Sequence, residues 1–188
     1  AWIIASLSKI SKNIFEFGTC SGKTTYIMGL NSSDDTKITS ITLSPNKVDE
    51  VSKKNKDNKV SFRNIINESI YNEFLFSGED AEKKFKLIFK IPEKKIQVIF
   101  QNSLDFNHKE YEGKIDLIFI DGGHTYSVVK NDSEKSFDML SKNGIILWHD
   151  YVPGKRSAKD VVKYIHEISK NKKLYSIKGT SLVYFKNE

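Results

Sequence analysis

The stretch Ile14 to Thr25, IFEFGTCSGKTT, decides how this chain is read. A short apolar run ends in an acid, Glu16, passes through a turn bounded by Gly18 and Gly22, and becomes a helix near Lys23. Glycines can take positive φ or let a ligand approach the backbone, and the first turn of a helix presents unpaired amide groups. The layout is that of a strand, loop and helix that hold a cofactor. Gly22-Lys23-Thr24 also reproduces the end of the phosphate-binding pattern G-x-x-x-x-G-K-[ST], with Leu117 to Asp121, LIFID, as its distal metal-binding strand. The count speaks against that reading, because only three residues separate Gly18 from Gly22 and Phe17 stands where the first glycine is needed. A P-loop phosphotransferase stays as the lesser alternative.

Composition bounds the rest. The chain has 188 residues, 38% of them hydrophobic, and no apolar run near the ~20 residues of a membrane span, so one soluble domain over 1–188 is expected. No secretory signal is visible, and a cytoplasmic location is expected. A helical pattern, Ile3, Leu7 and Ile10, starts almost at Ala1 without an initiator methionine, which leaves the natural N-terminus open. Cys20 is the single cysteine, which excludes an intrachain disulfide framework and a multi-cysteine zinc site. No histidine lies near it in sequence, so it reads as a small turn residue rather than a nucleophile. The net charge is +6, yet the lysines are mixed with acids and the only arginines are Arg63 and Arg156. The basic patches at 53–59 and 170–173 read as solvated helix ends, and neither a specific nucleic-acid partner nor a membrane is expected.

Apolar, β-branched runs alternate with helical patterns, which implies a parallel sheet covered on both faces. Strands are expected at 14–17, 38–43, 96–100, 115–120 and 145–148, and helices at 23–30, 46–56, 126–140 and 158–169. The third of these helices carries Val129, Ser133, Phe137 and Leu140 on one face, with Asn143-Gly144 as its C-cap and turn. Runs at 174–177 and 181–185 are too close together for a parallel crossover and must form an antiparallel hairpin. Residues 61–95 are longer than one crossover helix needs and rich in aromatics. They read either as a lid or substrate wall or as an extra helical layer, with Pro92 ending its second helical piece.

Gly113 to Tyr151, GKIDLIFIDGGHTYSVVKNDSEKSFDMLSKNGIILWHDY, resembles the D-G-x-H-x-Y … D … G-G-x-x-x-x-H-D-Y pattern of class I methyltransferases of the methyltransferase family 24 type. FGTCSGKTT is similar to that family's F-G-T-x-x-G-x-T-T, and E-x-G-x-x-x-G to its nucleoside-binding turn. The resemblance covers nearly the whole chain. It implies a Rossmann-like seven-stranded, mostly parallel α/β sheet with helices on both faces, S-adenosylmethionine as cofactor, and a small-molecule acceptor as partner.

The resemblance also assigns roles. Glu16 is expected to hold the cofactor's ammonium, with Gly18, Thr19 and Gly22 along the methionine side and Asn102 and Ser103 at the adenine. The second strand of the family ends in an acid that binds the ribose diol. Here Thr42 takes that place and offers one hydroxyl, so weaker binding follows unless Ser44 compensates. Asp121, which also borders the cofactor, falls with His124, His149 and Asp150 at the ends of two strands, where open α/β sheets bind ligands. His124 or His149 can serve as general base for a hydroxyl acceptor. Alternatively, Asp121 and Asp150 hold a divalent cation, magnesium or manganese, as acids do at these strand ends in catechol-type and macrolide-type O-methyltransferases. The leading expectation is O-methyl transfer to a small polar or sugar-like acceptor. A catalytically silent cofactor-binding or scaffold domain is the alternative, motivated by Thr42.

Overall fold

Side chains alternate across the strands and find apolar cover on both sides, which is what a buried parallel sheet requires. In the central strand, Ile118 and Ile120 belong to one core cluster and Leu117 and Phe119 to the other. The computed structural model describes residues 1–20, 22–43 and 95–188. In chain order the elements are α1 (Trp2–Ser8), β1 (Asn13–Phe17), α2 (Lys23–Asn31), β2 (Lys37–Thr42), β3 (Ile96–Phe100) and β4 (Ile115–Ile120). They continue with α3 (Tyr126–Met139), β5 (Leu140–Trp148), α4 (Lys159–Ile168), β6 (Tyr175–Ser176) and β7 (Val183–Lys186). Helices α3 and α4 cover one face through Val129, Met139, Val161 and Ile165; α1 and α2 cover the other through Ile4 and Met28. Among the described residues no helix is long and apolar enough to cross a membrane.

The seven strands lie in the order β3-β2-β1-β4-β5-β7-β6. The first five are parallel to their neighbours, whereas β7 runs antiparallel to both β5 and β6. The order turns back between β1 and β4, so the loops after these two strands flank the crevice where such sheets bind ligands. The expected α/β architecture and its closing hairpin are therefore present. Ser44, the expected helix at 46–56, Pro92 and all of the 61–95 segment except Lys95 lie outside the described residues.

Two local expectations need correction. The helix α3 stops at Met139 and passes directly into β5, which starts at Leu140 rather than 145. Asn143-Gly144 is therefore not a helix cap but an irregularity inside the strand, with Asn143 at φ 64° and a register shift between Ile115 and Leu117 on the neighbouring β4. The buried stripe of α3 also differs from the one expected: it contains Val129 and Ser133, but with Asp132, Ser136 and Met139, while Phe137 packs only partly buried.

A Cβ on Gly144 would stand 2.8 Å from Leu140 Cδ1 and 2.9 Å from the Ile115 carbonyl oxygen. Leucine can turn away, but backbone cannot. Gly144→Ala should lower stability by about 1–3 kcal/mol, the usual cost of overpacking, measured as a shift of the urea midpoint at unchanged slope. An unchanged midpoint would show that the β4–β5 edge yields freely here.

Candidate active site

The acid that ends the apolar part of β1 faces inward. Glu16 is fully buried, and its Oε2 accepts the Thr25 hydroxyl from α2 and the Ser40 hydroxyl from β2 at 2.5 Å. Ser40 and the loop residue Thr19 lie 2.6 Å apart, hydroxyl to hydroxyl. The other oxygen, Oε1, has no protein partner among the described residues. Burial pushes the Glu16 carboxyl up to about 7; the two hydroxyls oppose the rise, and the Asp121 charge adds to it.

Around it, Gly22 takes φ 74° as the N-cap of α2 and donates its amide to the Thr19 carbonyl at 2.7 Å. Cys20 is exposed and also left-handed, at φ 44°. Gly18 has φ 100°, and a Cβ there would lie 2.3 Å from the Asp121 carbonyl oxygen. Glycine is needed at 18 because the loops after β1 and β4 touch. A Gly18→Val change would therefore strike the protein's own backbone before it blocked any ligand.

Asp121, His124, His149 and Asp150 are brought together. The Asp121 amide donates to the Phe17 carbonyl at 2.8 Å and the His149 amide to the Ile120 carbonyl at 3.0 Å, which laces the ends of β1, β4 and β5 side by side. His149 Nδ1 lies 3.0 Å from Asp121 Oδ1 and 3.4 Å from Asp150 Oδ2. Its N–H is not aligned on either oxygen, so these contacts are ion pairs rather than hydrogen bonds. Asp121 first, then Asp150, raise the imidazole to about 10 against the cost of desolvation. Asp150, left-handed at φ 57°, also sits 2.8 Å from His124 Nε2. His124 and then His149 hold its carboxyl far below the usual range. The two carboxylates thus converge, and an imidazolium lies between them. Asp121, His124 and Asp150 also offer three ligand atoms within 4.8 Å of one another.

The remaining predicted residues lie on the β2 and β3 side. Thr42 ends β2, paired with Phe100 of β3. Asn102 caps the turn Ser103–Asp105, its Oδ1 accepting the Leu104 amide at 3.1 Å. The Ser103 carbonyl accepts from Asn131 and Lys135 of α3.

Sequence reasoning missed the hydroxyls around Glu16 and the buried acid Asp132. Ser40 was visible as a polar residue within an otherwise apolar strand, and Asp132 fills the isolated D of the long motif, but neither had an assigned partner. Asp132 is 1% exposed, and burial raises its carboxyl to about 6, opposed by Ser103, Asn131 and Lys135.

Residues 15–151 match the family of the methyltransferase domain, type 24. The chain belongs to this class I methyltransferase family. No curated protein is similar in sequence at a significant level. Among solved structures, the methyltransferase chain is similar to the O-methyltransferase TomG of Streptomyces achromogenes, solved with S-adenosylmethionine and involved in tomaymycin synthesis. The identity is 10% and the TM-score 0.65, over 99% of this chain and 78% of that one. It is similar as well to an O-methyltransferase of Bacillus cereus in complex with S-adenosylhomocysteine, at 12% identity and TM-score 0.65, again over 99% and 78%. The O-methyltransferase NovP gives 14% and 0.67 over the same shares. At such identities the likeness is one of fold.

For Glu16 the sign of the pH effect is fixed. Its folded pKa lies above the ordinary 4.5, so the native state holds a proton that the unfolded state has released. Its stabilising contribution is full below pH 4.5 and is lost as pH rises through 7. The loss should approach roughly 3 kcal/mol in the ligand-free protein. Urea unfolding at pH 5 and pH 8 should show a fall for the native chain that is largely absent in Glu16→Gln. Equal falls in both would place the slope elsewhere.

Proposed function

We propose that this methyltransferase uses S-adenosylmethionine to methylate a hydroxyl of a small polar or sugar-like acceptor. The observation that carries the reading is the His124–Asp150 pair, 2.8 Å long, which joins the loop after β4 to the loop after its neighbour β5. The residues present fit the cofactor. Among the described residues one buried Glu16 carboxylate oxygen has no partner, and Asp121 adds negative charge nearby, so a cationic ammonium, directly or through a water, would relieve both. Gly18, Thr19 and Gly22 would line the methionine part, Thr42 the ribose, and Asn102 and Ser103 the adenine.

When bound, S-adenosylmethionine supplies a methyl group on a sulfonium, ready for in-line displacement. The chain must then position the acceptor and take its proton. His124 is suited to this. With Nε2 paired to the Asp150 carboxylate at 2.8 Å, its Nδ1 would receive the hydroxyl proton, and Asp150 would stabilise the imidazolium that results. His149, ion-paired with Asp121, keeps the two carboxylates from repelling each other.

A second reading rests on the three ligand atoms of Asp121, His124 and Asp150. A magnesium or manganese ion there would favour the carboxylates and would make His124 a ligand rather than a base.

Methyl-labelled S-adenosylmethionine offered with a panel of hydroxylated small molecules tests the proposal. Label should move to an acceptor, and His124→Ala should cut the rate by about 10²–10⁴ while leaving S-adenosylhomocysteine affinity unchanged. Activity lost to a chelator and restored by magnesium would favour the cation reading. No transfer to any hydroxyl compound, with cofactor bound, would leave a silent binding domain. Thr42→Asp should tighten S-adenosylhomocysteine binding by about 1–2 kcal/mol, by calorimetry, because a carboxylate accepts both ribose hydroxyls. Level or weaker affinity would show that the ribose is held elsewhere.

A further inference from the structure

Helix α3 turns three polar side chains toward the loops beyond β3 and β4. Asn131 Nδ2 donates to the Ser103 carbonyl at 3.1 Å and to Asp132 Oδ1 at 2.8 Å. Lys135 Nζ donates to the same Ser103 carbonyl and, at 3.2 Å, to that of Leu104. Asp132 lies beneath them, buried, with the Ser103 hydroxyl and the Lys135 ammonium as its other polar neighbours. Its Oδ2 also faces the other loop: it is the atom that a Cβ built on Gly122 would meet, at 3.4 Å.

Nothing in the packing of α3 asks for an acid here. The helix is seated on the sheet by Val129 and Met139, and a buried carboxylate is costly unless its partners are well placed. Asp132 therefore stands between one loop from each half of the crevice: it pairs with Ser103, following β3, and faces Gly122, following β4. A satisfied buried polar network is stiff and has one geometry.

We propose that Asp132 is a positioning residue that, with Asn131 and Lys135, locks the Asn102–Phe106 loop to the Asp121–His124 loop, so that both halves of the crevice are set by one helix. The functional consequence rests on the cofactor reading above: the lock fixes the spacing between the adenine end and the reacting end of one bound molecule. The mechanical part does not depend on it.

Amide hydrogen exchange of the ligand-free chain, together with calorimetric titration by S-adenosylhomocysteine, tests both parts. The variants are Asp132→Asn, Lys135→Met and, as a control on the exposed side of the same helix, Lys130→Met. Lys135 is only partly buried and its methionine variant keeps the apolar stem, so it reports even if Asp132→Asn fails to fold. Exchange should rise by about tenfold in 102–106 and 121–124 together, with β1 and β5 unchanged, and S-adenosylhomocysteine affinity should fall by a similar factor. The control should change neither. Faster exchange in 102–106 alone, or in neither segment, would overturn the lock, whatever the affinity. Faster exchange in both segments, in a chain that binds no S-adenosylhomocysteine even as wild type, would uphold the lock and sink the cofactor reading.

Discussion

The contact between Gly18 and the Asp121 carbonyl is the constraint on which the rest of this site depends. Neighbouring parallel strands bring their loops out on the same edge, but ordinary side chains would hold those loops apart. With no Cβ at 18, the loop after β1 closes onto the loop after β4, and the Phe17 carbonyl receives the Asp121 amide. The glycine turn after β1 and the loop after β4 become one surface. The glycine's place is thus set by how the protein packs, and a ligand benefits from the result.

Bringing those loops together also concentrates charge. Glu16, Asp121 and Asp150 all lie at the edge formed by β1, β4 and β5. Each is accommodated differently: Glu16 by hydroxyls and a raised pKa, Asp121 by His149, and Asp150 by both histidines. The arrangement is balanced but not saturated, since among the described residues Glu16 Oε1 has no partner and His149 Nδ1 is aligned on neither carboxylate. A site in that condition favours a cationic ligand, which agrees with a sulfonium cofactor that carries an ammonium.

Much of this was legible in the residues. The glycine turn, the paired motifs at the ends of β4 and β5, and the hairpin spacing together define the family and the sheet. The gathering of Asp121, His124, His149 and Asp150 follows once β4 and β5 are neighbours. What escaped the sequence depends on contacts between distant segments. Ser40 looks like an ordinary strand residue until β2 places it on Glu16, and Asp132 looks like a surface acid until α3 is rotated by its apolar stripe. Asn143-Gly144 carries a strong turn signal, yet the pairing of β5 with β4 absorbs it inside a strand. Local chemistry proposed a cap there, and tertiary pairing overrode it.

Titration calorimetry of the intact chain with S-adenosylhomocysteine and, separately, with ATP tests most directly whether this crevice is a methyltransferase cofactor site. Saturable one-to-one binding of S-adenosylhomocysteine with no heat from ATP is the expected result. ATP binding, or the absence of any S-adenosylhomocysteine binding, would contradict it.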